Sequence, residues 1–170
     1  MALEALYAYG GVPIKRSPAW QEWAERADRY AAPGTIERVY ADLALAGVRF
    51  HERHWAEYRN LCIRAWTLAK ELGQPDALMD AGNFLISAET AVQHQTERIR
   101  LVEEVLSIPR AGVSTSTLGD LLARFRQSRR PMKRRTSKRM RAQWRSALAI
   151  LMAPAIRSSE MAKLRSVAMT

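Results

Sequence analysis

The sequence predicts an all-α protein, and three observations carry that reading. Ala, Leu, Arg and Glu dominate the composition and β-branched residues are sparse, which favours helix over sheet. Apolar residues recur at spacings of three and four through most of residues 1–123, the stripe of an amphipathic helix. Breaks containing Gly and Pro cut those stripes at intervals suited to helices of ordinary length.

The elements follow in order. Gly10-Gly11-Val12-Pro13 and Ser17-Pro18 break the chain early, so residues 1–16 form an N-terminal segment. Ser17 offers an N-cap with Pro18 at the first helical position, and Trp20, Trp23, Ala24, Ala27 and Tyr30 form the first apolar stripe. Ala32-Pro33-Gly34 stops it. Thr35 caps a second helix with Ile36, Val39, Tyr40, Leu43, Ala46, Gly47 and Phe50 on its apolar face. His51 to His54 reads as a polar turn. Trp55, Tyr58, Leu61, Cys62, Ala65, Trp66, Leu68, Ala69 and Leu72 make a third helix, stopped by Gly73-Gln74-Pro75. Asp76 is the expected cap of a fourth helix through Leu78, Met79, Ala81, Gly82, Leu85 and Ile86. Ile99, Val102, Val105 and Leu106 define a fifth, ended by Ile108-Pro109. Hydroxyls from Ser114 to Thr117 can cap a sixth through Leu118, Leu121, Leu122 and Phe125. The helical domain is therefore placed at 17–123, with a basic extension at 124–170 that regains a helical stripe around 138–153.

Charge marks the same boundary. Residues 1–123 hold 13 Lys+Arg against 16 Asp+Glu, a balance of −3; residues 124–170 hold 14 against Glu160 alone, a balance of +13. The helical domain is thus mildly acidic, and affinity for polyanions belongs to the extension. The single cysteine, Cys62, rules out an intramolecular disulfide framework and a multi-cysteine metal site, and a reducing cytoplasmic setting is the simplest expectation. The start lacks the basic and apolar regions of a signal peptide, and no apolar stretch nears the ~20 residues that cross a bilayer.

Two segments echo one another. Leu43-Ala44-Leu45-Ala46-Gly47-Val48-Arg49-Phe50 aligns with Leu78-Met79-Asp80-Ala81-Gly82-Asn83-Phe84-Leu85, with Gly47 and Gly82 35 residues apart. A small pair within one turn lets a neighbouring helix approach, and the bulky residue one turn on fills the space beside it. The fold expected is stacked antiparallel helical hairpins.

On these residues, 17–123 resembles the tetratricopeptide-like helical arrays of bacterial LuxR-type regulators, signal-transduction ATPases and nucleotide cyclases. Residues 35–75 are similar to one repeat: an A helix with Ala46-Gly47 and Phe50, Trp55 and Tyr58 opening a B helix, and Pro75 after it. Residues 17–33 resemble the B helix of a preceding repeat and 76–107 a divergent second one. The wording Ala69-Lys70-Glu71-Leu72-Gly73-Gln74-Pro75 is similar to that of such arrays. Two departures stand out: the turn at 51–54 lacks the usual Gly, and the register after Ile86 needs about five inserted residues. The resemblance implies a protein or peptide partner on a concave face, for which Asp42, Arg49, Asp80 and Asn83 are the expected contacts. It also implies that an uncapped array end can self-associate.

No reaction chemistry is spelled out. His51-Glu52-Arg53-His54 is one residue short of the His-Glu-x-x-His zinc spacing and lacks a third ligand, so it reads as a polar inter-helix turn. Gly10-Gly11 is followed by no Lys-Ser/Thr, and no nucleophile motif surrounds any serine. A non-enzymatic protein with no metal and no cofactor is expected. Trp20, Trp23, Trp55 and Trp66 fall on apolar stripes and are expected in the core.

The extension reads three ways. Arg129, Arg130, Lys133, Arg134, Arg135, Lys138, Arg139, Arg141 and Arg145, with Trp144 among them, would bind nucleic acid through 124–145 in a salt-sensitive manner. A solvated tail without a partner is the plain alternative. The third is an out-of-frame end on a truncated array, because residues 124–170 contain no Gly, Asp or Tyr and are heavy in Arg, Ser and Ala. The leading expectation is a protein-interaction module of a bacterial regulatory or signalling system.

Overall fold

The computed structural model describes residues 14–89 and 94–122, Gln95 as backbone only, and all of them are helical or connect helices, with no strand among them. The chain divides into two compact units, 1–117 and 118–170. Residues 1–13 of the expected N-terminal segment and the whole extension from 124, with its expected helix at 138–153, lie outside the described residues.

The first unit is built from α1 (Pro18–Tyr30), α2 (Ile36–His51), α3 (Trp55–Leu72), α4 (Pro75–Ala88) and α5 (Gln95–Ser107). Local chemistry sets most of their ends. Ser17 Oγ accepts from the Trp20 N–H at 3.2 Å and Thr35 Oγ1 from the Arg38 N–H at 3.3 Å. Gly73 closes α3 in the left-handed region at φ 63°, where a Cβ would be strained. Ser114 Oγ accepts from the Thr117 N–H at 3.1 Å and starts the helical residues 115–122.

One cap differs from expectation. Pro75, not Asp76, opens α4, and Gln74 stands at the N-cap without a side-chain hydrogen bond. The proline has no N–H to satisfy and its φ suits the first helical turn. The Asp76 carboxylate instead accepts from the Ser114 N–H at 2.8 Å and the Tyr40 hydroxyl at 3.2 Å, joining three separate elements.

Consecutive helices pack on one another, and α2 also touches α4. Contacts between neighbours run in opposite chain directions. Trp20 of α1 reaches Ala44 while Asp28 reaches Arg38. On α3, Arg64 meets Asp42 and Tyr58 meets Phe84. The pairs α1–α2, α2–α3 and α3–α4 are therefore antiparallel.

The core centres on α2. Residues 41–48 are all buried, so this helix is enclosed on every side instead of presenting a single stripe. Its Ala-rich surface lets α1, α3 and α4 approach. The second core helix, α4, contributes Ala77, Met79, Ala81, Leu85 and Ile86.

The echoed glycines play unequal parts. A Cβ on Gly82 would lie 2.3 Å from Val105 Cγ2 and 2.8 Å from Trp66 Cζ3, so only glycine fits between α3 and α5. At Gly47 the nearest atom to such a Cβ is Trp20 Nε1 at 3.9 Å, an ordinary contact. Both positions lie under a tryptophan from the preceding helix, but only one is tight.

Two of the four tryptophans expected in the core are not there. Trp20 and Trp66 are buried, whereas Trp23 is 37% and Trp55 56% exposed. Apolar periodicity finds the side of a helix a residue lies on; it cannot say whether a neighbour covers that end.

Candidate functional site

Two polar regions of the first unit stand out, and they differ in how their charges are used. The first is an ion cluster that ties α1, α2 and α3 together. Asp42 is completely buried. Its Oδ1 accepts from Arg38 Nε at 2.7 Å and from Arg64 Nη2 at 2.6 Å, and its Oδ2 accepts from Arg64 Nε at 2.6 Å. Arg38 continues to α1, donating to the Asp28 carbonyl at 2.7 Å and its carboxylate at 2.6 Å. The hydrogen bond to Asp42, with its charge, raises the Arg64 pKa above the ordinary guanidinium value. The fork geometry of two arginines on one carboxylate satisfies the buried acid.

The arrangement corrects two of the four residues expected on a partner-binding face. Asp42 and Asn83 are both buried, so neither offers its side chain to a partner. Arg49 and Asp80 keep partial exposure. Arg49 is already engaged, donating from Nη1 to Glu52 at 2.6 Å and pairing through Nε with Glu57 at 2.9 Å. Its pKa is raised, first by the hydrogen bond to Glu52. The four residues thus do not form one open contact surface. An aspartate in the apolar run Leu43-Ala44-Leu45, four residues after Arg38, is the signal that could have marked Asp42 as buried.

The second region is a cleft of about 720 Å³ where α2 ends and α3 begins, bounded on its other side by residues 15–17 and Gln21. The sequence pattern led only to a polar turn here. The turn carries out what a glycine would do elsewhere: Arg53 adopts φ 64°, the one non-glycine residue with positive φ among those described. Its N–H donates to the Phe50 carbonyl, and the Arg49 and Val48 carbonyls accept from His54 and Glu52, so the end of α2 is closed. The bend turns Arg53 and Trp55 to the cleft beside Phe50 and His51.

Phe50 is the hub of an aromatic group. His51, Trp55 and Tyr58 each stand edge-on to it, with ring centroids 5.3 Å away. Phe50 is 41% exposed and Trp55 more so, which leaves apolar surface open to the cleft. Lys15 sits at the opposite wall, its Nζ 5.7 Å from the Trp20 ring and 5.4 Å from the Phe84 ring. Arg16 and Arg53 line the same space and form no ion pair among the described residues. Glu52 is the one acid on the lining, and Arg49 holds it. Burial, then the charges of Arg16 and Lys15, lower the His51 pKa, so the imidazole is neutral at pH 7.

The remaining polar groups point to packing. The Glu89 carboxylate is buried against His94 Nδ1 and Arg59, which bonds it from Nε at 2.7 Å. Cys62 is buried on α3. No group of three or more His, Cys, Asp or Glu among the described residues could hold a metal ion, and no described helix is long and apolar enough to cross a membrane. The residues expected to meet nucleic acid, Arg129, Arg130, Lys133, Arg134, Arg135, Lys138, Arg139, Arg141, Trp144 and Arg145, lie outside the described residues. Comparisons with protein-family models, with curated proteins and with solved structures return no match.

Proposed function

We propose that residues 14–117 form a short tetratricopeptide-like array of stacked helical hairpins, working as a non-enzymatic protein-interaction module of a bacterial regulatory or signalling system. The cleft at the α2–α3 turn is its docking site. One observation carries this reading. Phe50 and Trp55 lie exposed and edge to face in a concavity, beside arginines that form no ion pair among the described residues, whereas Trp20, Tyr58 and Trp66 are buried. The antiparallel pairing from α1 to α4, the α2–α4 contact and the tryptophan over each echoed glycine support the array. A photo-crosslinking residue in place of Trp55, and separately in place of the exposed Glu37 on α2, tests it in cells. A discrete protein adduct from position 55 and none from 37 is expected. Equal adducts from both, or none from either, would remove the assignment.

A second reading assigns nucleic-acid binding to the extension and is favoured by its charge of +13, from 14 cations and one acid. Its test keeps the chain intact. Arg134→Gln, Arg135→Gln, Lys138→Gln and Arg139→Gln together should weaken DNA or RNA binding and flatten its salt dependence. Unchanged affinity excludes the extension as the binding element.

A further inference from the structure

We infer that the cleft takes an acidic peptide segment of a partner protein with a bulky apolar side chain at its centre. The inference rests on the cleft being a docking site and adds the chemistry of what docks. Three features set that chemistry. Arg16 on the wall and Arg53 at the turn place two cations around one concavity, while its acid, Glu52, is paired with Arg49. The floor offers Phe50 and Trp55 as an apolar platform, large enough for a leucine or an aromatic ring to lie against. The first turn of α3, which carries Trp55, opens at the same place, its N-cap His54 giving no side-chain capping bond and its one acid, Glu57, held by Arg49.

The first unit as a whole is mildly acidic, so this basic pocket runs against its surroundings. An acidic segment would be repelled by most of the unit and drawn to this one place, which gives position as well as affinity. A basic segment would face the like charges of Arg16 and Arg53 there. A plain apolar one would leave Arg16 and Arg53 unpaired and partly desolvated. The aromatic platform supplies contact area at little conformational cost, since Phe50 is already fixed by three edge-on neighbours.

The test uses the intact chain and two blocked octapeptides. One has glutamates and aspartates flanking a central Leu-Phe pair; the other is its Gln/Asn counterpart. The readout is the Trp55 indole N–H in a two-dimensional NMR titration, assigned with Trp55→Phe. Two doubly substituted chains of identical net charge are compared: Arg16→Glu with Arg53→Glu in the cleft, and Arg29→Glu with Arg100→Glu elsewhere. The acidic peptide should shift the Trp55 signal saturably. Reversal in the cleft should weaken it by about tenfold or more, and reversal elsewhere by less than about twofold. Arg16→Gln with Arg53→Gly repeats the cleft test with milder changes, and the amide spectrum of each variant reports that it is folded. Equal weakening by both reversals would overturn the proposal, because the charged extension or the overall field would then be responsible. Equal binding of the Gln/Asn peptide at Trp55 would also overturn it, while leaving the cleft a docking site. No shift with either peptide overturns it too, and the crosslink at position 55 then decides separately whether a partner docks there.

Discussion

The Asp42 cluster and the cleft beside Phe50 both gather arginines, and they use them in opposite ways. Around Asp42 two guanidinium groups converge on one buried carboxylate, and a third helix is tied in through Asp28. Each charge there has its partner. Around the cleft, Arg16 and Arg53 have no ion pair among the described residues, and two aromatic rings are left open to solvent. The first arrangement is what stability requires of a buried acid; the second leaves charge and apolar surface open to solvent. Polar residues alone do not mark a site. Polar residues whose bonding capacity the fold leaves unfilled do.

The largest effect that could break this comparison is at Asp42. Asp42→Ala leaves Arg38, nearly buried, with Asp28 as its remaining carboxylate and frees Arg64, and should cost about 3 kcal/mol of stability. Urea denaturation measures it, and a loss below about 1 kcal/mol would show that the cluster is not a clamp.

The echoed glycines sharpen the packing side of the same comparison. Gly82→Ala forces a Cβ against Val105 and Trp66 and should destabilise by about 1–3 kcal/mol. Gly47→Ala meets no such contact and should gain about 0.5–1 kcal/mol from helix propensity. Thermal melts of the two variants should therefore move in opposite directions.

The smallest effect is at the turn. Arg53 occupies a left-handed conformation that glycine adopts freely, so Arg53→Gly should stabilise by roughly 1 kcal/mol. The same change should weaken capture of an acidic peptide. A variant more stable and less able to bind would separate the two functions of one residue.

Much of the helical framework was legible because its signals are local. Ser17, Thr35 and Gly73 act on N–H and carbonyl groups within a few residues, so their spacing alone reveals them. The burial of Asp42 is hidden in the sequence because its main partner, Arg64, stands 22 residues away on another helix. The exposure of Trp23 and Trp55 is likewise hidden, because a stripe identifies a face and not the cover over it. The cleft was missed for a related reason. Phe50 and Trp55 belong to different stripes, and they meet only because Arg53 bends the chain between them. Two aromatics flanking a short polar turn were the available signal.

One measurement tests the division between the two regions most directly: melting temperature and acidic-peptide affinity determined together for Arg64→Gln and Arg16→Gln in the intact chain. Arg64→Gln removes two charge-assisted hydrogen bonds to Asp42 and should lower stability by about 1.5–3 kcal/mol with affinity unchanged. Arg16→Gln should leave the melting temperature in place and weaken the peptide severalfold. The opposite pattern, binding lost at Arg64 and stability lost at Arg16, would contradict the account.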